Sequence, residues 1–283
     1  MKILELFAGT KSVSRVFASR GHETFTVEWD RRHPDIDLYA DIGTLTAEDI
    51  LSRFGRPDVV WASPDCATYS VAAISHHRNG VEPKTEYARF CDAVNAHFLD
   101  LIRELRPRFY FIENPAGMLQ HMPFLKDFLA ETGGAKHLLT YCKYSDPWTD
   151  ECGVVHLPRQ KRTHIFTNHQ EPRFLPPCRN GDTCHEKAPR GARTGTQGLK
   201  GSVERSRIPE RLCEHICDIC EESLCRKTDG GNERTTDAKL VEIFDAVLYE
   251  LRGFMQELPD LETPELRDLV EEAQAALDEL RNP

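Results

Sequence analysis

The sequence predicts an α/β protein built on a doubly wound parallel sheet, followed by a small irregular basic region and a C-terminal helical hairpin. Three observations predict it. Over the first 142 residues short apolar runs alternate with amphipathic ones, the mark of repeated strand–helix–strand crossovers. A Gly- and Pro-rich stretch with excess Lys and Arg follows. Near the end, 240–258 and 264–280 both space apolar residues at three and four, as amphipathic helices do.

In order, KILELFAG (2–9) is a strand ending in glycine, KSVSRVFASRG (11–21) a helix closed by Gly21, and TFTVEWD (24–30) a second strand. TAEDILSRF (46–54) opens on a Thr cap with an acidic first turn, as a helix should. PDVVWASP (57–64) is a strand, residues 85–107 a long helix, RFYFIENP (108–115) a strand, PFLKDFLAET (123–132) a helix and HLLTYCKY (137–144) a strand. Leu-Pro-Asp and Thr-Pro between the two late helices mark a turn. In such Rossmann-like sheets ligands bind beyond the carboxyl ends of the strands, so the chemistry is sought there.

The chain has 283 residues, 40% of them hydrophobic, enough for one large core and an appendage. It contains ten cysteines but no leader-like apolar start and no run near the roughly 18 apolar residues of a membrane span. A reducing cytoplasm without membrane contact is therefore expected, where cysteines serve packing, metal or catalysis. The net charge of -10 is unevenly spread. From Asp229 onward fifteen acidic residues face five basic ones, whereas 151–211 holds twelve Lys and Arg against six acids. A basic, glycine-rich stretch suits phosphate contacts; an acidic hairpin suits packing or a protein partner.

Several strand ends carry informative residues. Gly9 stands where a backbone must turn tightly toward a ligand. Glu28 follows about twenty residues later, where an acid can accept ribose hydroxyls, with Trp29 able to lie on a base and Asp41 able to take an exocyclic amine. Together they describe an adenosine site. Cys66 follows one buried strand and Glu113-Asn114-Pro115 ends another. A thiolate adds to an electron-poor carbon, and a carboxylic acid that protonates the ring makes that carbon poorer. Cytosine poses this problem, because its carbon 5 is not nucleophilic until something adds at carbon 6.

The segments ELFAGT, EWD, ADI, SPDCATYS and IENP, with RQKRTHIFTN and RSRIPERLCEHI after them, resemble in order and spacing the cytosine-5 DNA methyltransferase family, in its compact bacterial or bacteriophage form. The resemblance covers about residues 1–222. It implies a cofactor-binding catalytic domain over 1–150, a small DNA-recognition region over 151–207 and a closing helix over 208–228, with the acidic hairpin at 233–283 outside it. By resemblance Cys66 is the nucleophile, Glu113 the protonated partner of the ring, Arg162 the group that orients Glu113, and Pro64 and Asn114 shape the base pocket. S-adenosyl-L-methionine would rest on Phe7, Ala8, Gly9, Glu28, Trp29, Asp41 and Ile42. The substrate implied is double-stranded DNA with the target base flipped out, and the setting the cytoplasm of a bacterium or an infected host. The loop after Cys66 would be the lid, with His76, His77, Arg78 and Lys84 toward phosphate. The short recognition region predicts a target of about two to four base pairs, with Arg190, Arg193 and Gln197 able to read base edges.

The departures keep alternatives open. Asp65 puts a carboxylate beside the thiol where the family has proline, and a carboxylate there would raise the thiol pKa unless it points away. Lys11 and Ser12 stand where glycines are common, and His164 replaces the second arginine of the Gln-x-Arg-x-Arg element. A carboxylated cofactor paired with Lys11, methyl transfer to an exocyclic amine, and a non-catalytic DNA-binding relative are the competing readings. Cys178, Cys184 and His185 lie in one loop and are expected to hold a structural zinc if one is bound; Cys213, Cys217 and Cys220 share a helix face as ordinary buried cysteines also would.

Overall fold

The computed structural model of the chain describes residues 1–71, 73–179, 181–186, 206–229 and Val270. Two compact units are present, Met1–Glu221 and Glu222–Pro283. The expected hairpin at 233–283 falls, apart from Val270, outside the described residues, as do Arg190, Arg193 and Gln197.

The elements are β1 (Lys2–Leu6), α1 (Ser12–Ser19), β2 (Glu23–Glu28), β3 (Leu38–Tyr39), α2 (Ala47–Arg53), β4 (Val59–Ala62), α3 (Ile74–His77), β5 (Arg78–Asn79), β6 (Glu82–Pro83), α4 (Glu86–Leu105), β7 (Phe109–Pro115), α5 (Pro123–Thr132), β8 (Ala135–Thr140), β9 (Trp148–Thr149), β10 (Val155–His156), β11 (Arg162–Thr167) and α6 (Glu210–Asp229). Seven strands form one sheet in the order β3-β2-β1-β4-β7-β11-β8. From β3 to β7 neighbours run parallel, and β11 runs antiparallel to both β7 and β8. The α/β doubly wound sheet is thus the one the alternation of elements predicts. The order reverses at β1, between β2 and β4, so the crevice expected to take ligands opens beyond the ends of β1 and β4.

Alternation along the strands builds a core on each face. Leu4, Leu6, Val60 and Ile112 face α2, α4 and α5 through Ile50, Phe98, Ile102 and Phe128. Ile3, Trp61, Phe111 and Ile165 face α1 and α6 through Val13, Phe17, Leu212 and Ile216. Residues of β1 after Lys2, and all of β4, are buried to within 2% exposure, which is why these strands read as continuous apolar runs. The cap of α2 is the one the sequence implied, and α4 has one of the same kind. Thr46 and Asp49 form a reciprocal capping box at α2, and Thr85 accepts from the Ala88 amide at α4.

Two features lie outside what local patterns indicate. Arg162–Thr167 is a strand built into the main sheet, so the chain past residue 150 rejoins the layer formed by its first half. And α1 has no side-chain cap of its own. Glu5, buried in β1, accepts from the Ser14 amide at 2.7 Å and the Val13 amide at 3.4 Å, and serves that helix terminus from the neighbouring strand. Along α6 the predicted face is core: Cys213, Cys217 and Cys220 are fully buried in the same cluster as Trp61 and Phe17. Arg20 holds the helix from outside through Asp218, at 2.6 Å, and Glu221. No helix among the described residues is long and apolar enough to cross a membrane.

Candidate active site

The turn after β1 is made of residues in unusual backbone conformations. Phe7, Gly9 and Lys11 all have positive φ, at 55°, 47° and 55°, conformations that cost a non-glycine residue roughly 1–2 kcal/mol. Phe7 is secured by an edge-to-face contact with Phe98 at 5.5 Å. Glu28, at the end of β2, accepts from the Gly9 amide at 3.0 Å through Oε2, and from the Trp29 and Asp30 amides at 3.0 and 3.1 Å through Oε1. The carboxylate therefore joins the two strand ends, with Ala8 buried beneath them. Beside it Trp29 is 67% exposed, an aromatic plane facing solvent with no core to fill. Asp41 is exposed and caps the short turn at Ile42–Thr44 through the Gly43 amide, while Ile42 is buried under it. The predicted adenosine-binding residues thus gather along the ends of β1 and β2 and the turn after β3. Lys11 is committed elsewhere: its ammonium donates to the Asp35 carbonyl at 2.7 Å.

Cys66 lies on a tight turn after β4, its carbonyl accepting from the Tyr69 and Ser70 amides at 3.1 and 2.8 Å. Burial pushes the thiol up to about 11, and the charge of Glu113 adds to it, while Lys161 opposes and Asp65 contributes less than either. Asp65 itself is turned outward. Its Oδ1 accepts from the Ala67 amide at 2.6 Å, and its Oδ2 accepts from the Tyr87 hydroxyl.

The turn is held from below by a buried network the sequence did not suggest. Arg78, 3% exposed, makes a two-pronged pair with Asp92 at 2.6 and 3.0 Å and also donates to the Thr68 carbonyl. The Tyr69 hydroxyl donates to Asp92 at 2.6 Å and accepts from Asn95 at 2.8 Å. Arg78 therefore does not face phosphate, contrary to expectation, because its guanidinium is the internal tie between the Cys66 turn and α4. Lys84 is also engaged, donating to the Ser75 carbonyl at 2.8 Å; His76 remains exposed.

Glu113, 4% exposed at the end of β7, receives the Tyr141 hydroxyl at 2.8 Å, the Thr163 hydroxyl at 2.9 Å and the Lys161 ammonium at 3.3 Å, all on Oε1. The cation beside Glu113 is Lys161, and Arg162 is exposed. Strand alternation explains the difference, since Thr163 and Ile165 share the Glu113 side of β11 and Arg162 and His164 point to the other. Asn114 donates to the Pro64 carbonyl at 3.1 Å, tying the ends of β7 and β4. Opposite it His164 is buried, and burial holds its imidazole down at about 4, so it is neutral where the family has an arginine. The Asn114 Oδ1 and His164 Nδ1 atoms are buried without a hydrogen-bond partner among the described residues.

Gly117 completes the juxtaposition. A Cβ there would lie 2.3 Å from the Tyr69 carbonyl oxygen, so only glycine lets the chain after β7 press against the Cys66 turn. A pocket of about 520 Å³ opens beside Glu113's partners, with Thr10, Ser12, Tyr141, Lys161, Arg207 and Ile208 on its walls. Sequence reading thus found the residues at strand ends. It missed Lys161, Tyr141 and Thr163, which reach Glu113 only because β11 inserts beside β7. The loop residues Cys178, Cys184 and His185 come together as expected, and Cys142, which was not singled out, joins them.

No family model matches the chain. It is similar to a protein of Frog virus 3 (isolate Goorha) named "Probable DNA (cytosine-5)-methyltransferase", 27% identical over 238 residues that cover 78% of this chain and 100% of the relative. Among solved structures it is similar to the S. pombe Dnmt2 methyltransferase, at 15% identity and a TM-score of 0.41 over 59% of this chain and 48% of that one. It is also similar to the Entamoeba histolytica methyltransferase EhMeth, at 14% identity and a TM-score of 0.41 over 66% of this chain and 57% of that one. The chain spans about half the length of these two solved chains. The family resemblance drawn from the ordered motifs is borne out by the viral relative.

Proposed function

We propose that this chain is a DNA cytosine-5 methyltransferase, acting on a base flipped from duplex DNA through a covalent Cys66 adduct. The observation that carries the reading is the pairing of a half-buried thiol, on the turn after β4, with a buried carboxyl at the end of the adjacent strand β7, close enough for the Glu113 charge to act on Cys66. Likeness to the viral relative supports methyl transfer to DNA.

S-adenosylmethionine fits the turn after β1: a cradle of left-handed residues, an acid with lone pairs remaining beyond its three amides, and an exposed indole that otherwise has no packing role. Phe7, Ala8, Gly9, Glu28, Trp29, Asp41 and Ile42 would hold it, and when bound it supplies an electrophilic methyl group. Everything else falls to the chain. Cys66 loses its thiol proton to solvent and adds to carbon 6 of the cytosine, and the electron pair pushed into the ring is taken up at the ring nitrogen with a proton donated by the Glu113 carboxyl. Lys161 and Tyr141 fix the carboxyl, and Asn114 fixes the β4 end. Once carbon 5 carries the methyl group, its proton passes to solvent, the Cys66–carbon 6 bond breaks with sulfur leaving as thiolate, and the ring nitrogen returns its proton to Glu113. Arg162, which is exposed, would meet DNA rather than Glu113.

Asp65 does not favour a non-catalytic reading, since it faces Tyr87. Lys11 does not favour a carboxylated cofactor, since it is bound to Asp35. The test is nucleoside mass spectrometry of duplex DNA incubated with S-adenosylmethionine. The intact protein should yield 5-methylcytosine and Cys66→Ser none; methylated adenine, or 5-methylcytosine undiminished by Cys66→Ser, would refute the reading.

A further inference from the structure

The loop ending in His185 closes on the turn at Tyr141–Lys143 in a way that thiol packing does not require. Cys142, Cys178, Cys184 and His185 bring one ligand atom each within 4.8 Å of every other. The Cys142–Cys178 and Cys142–Cys184 sulfur separations are 3.3 and 3.7 Å, and the His185 Nδ1 atom stands 3.7 Å from Cys178 and 3.6 Å from Cys184. A tetrahedral zinc with Zn–S near 2.3 Å and Zn–N near 2.0 Å spaces its sulfurs about 3.7 Å apart, and sulfur from nitrogen about 3.5 Å. A disulfide would require about 2.05 Å.

We infer that Cys142, Cys178, Cys184 and His185 form a closed structural zinc site that staples the loop before the basic segment to the end of β8. Three soft sulfurs and one imidazole in tetrahedral array select zinc over the oxygen-preferring cations. Four protein ligands leave no open position for a catalytic water, so the metal serves structure. Binding requires three thiolates and a neutral imidazole, and the displaced thiol protons pass to solvent. The outer contacts suit charged sulfur: Gln160 Nε2 donates to the Cys178 Sγ at 2.9 Å, and the Cys178 amide is fixed by Thr140 Oγ1 at 2.9 Å. Gln160 immediately precedes Lys161, the cation on Glu113, so the site connects the recognition side of the chain to the catalytic strand β11. Glu186, the next residue, is pinned by Arg159 and His156, which extends the staple along the same edge.

The full-length protein, purified without chelators, is assayed for metal by elemental mass spectrometry and for reactive thiols by alkylation under native conditions. One zinc per chain is expected. It should fall to background in Cys142→Ser and in Cys178→Ser, and persist in the exposed Cys152→Ser. Treating the intact protein with 1,10-phenanthroline should remove the zinc, expose three further alkylatable cysteines and lower the melting temperature; this arm decides the matter if the serine variants fail to fold. Absence of metal even after dialysis against zinc, full zinc in a folded Cys142→Ser, or a Cys142–Cys178 disulfide found by peptide mapping would each overturn the site.

Discussion

At the residue scale the proposed reaction depends on how a half-buried thiol and a buried carboxyl share charge. Cys66 sits at about 11 because burial and the Glu113 carboxylate both oppose the thiolate, and Lys161 only partly offsets them. The sign of each substitution follows. Glu113→Gln removes a negative neighbour and should lower the Cys66 pKa, whereas Lys161→Met removes a positive one and should raise it. The pH dependence of Cys66 alkylation, followed on its own peptide, checks both; unchanged profiles would show that the two groups do not face the thiol. The positions of Glu28, Glu113 and Asn114 were legible in the sequence because each lies at the end of a strand, and that of Cys66 because it lies on the turn that follows one. Lys161 was not. Its neighbour Arg162 has the same charge, and which of two adjacent residues faces inward is set by the pairing of β11 with β7, a contact some fifty residues distant in the chain.

At the element scale, two buried ionisable residues hold helices in register with strands. Arg78 loses its ion-pair partner among the described residues when Asp92 is replaced by alanine, leaving a buried guanidinium uncompensated, and Asp92→Ala should cost about 3–5 kcal/mol in chemical denaturation. A loss below 1 kcal/mol would mean the pair is not buried in solution. Glu5 carries the opposite electrostatic problem. Burial raises its carboxyl to about 7, above its unfolded value, so the folded state holds the extra proton. Its contribution to stability is full below about pH 4.5 and is lost as pH rises through about 7, on the order of 3 kcal/mol in all. Wild-type stability minus that of Glu5→Gln should therefore decline across this window; a difference flat with pH would contradict the account. Neither residue was foreseen, because a charge inside KILEL or in the lid segment reads as surface when only local pattern is available. The helices themselves, with the Thr46 cap of α2, were legible since their signals are local. The strand Arg162–Thr167 was not, since its apolar stretch is short and follows an irregular segment.

At the scale of the whole molecule, charge is divided along the chain. The excess of acids from Asp229 onward equals the entire net charge of -10, and the excess of bases lies within 151–211. Neutralising the acids of 233–283 to amides should speed association with duplex DNA at low salt, and the gain should vanish as salt is raised. An unchanged rate measured by stopped-flow would show that the acidic segment does not influence encounter. The sheet order places β1, β4 and β7 side by side, so the turn after β1, Cys66 and Glu113 lie at the same end of the central strands; that they work there as one active site is the central claim of the proposed function. It is tested most directly by incubating the protein and S-adenosylmethionine with duplex DNA containing 5-fluorocytosine, whose carbon 5 cannot lose a proton. A denaturation-resistant complex that peptide mapping places on Cys66, absent in Cys66→Ser, is the predicted result. Methylated DNA from ordinary substrate with no trapped complex, or a complex on another residue, would contradict it.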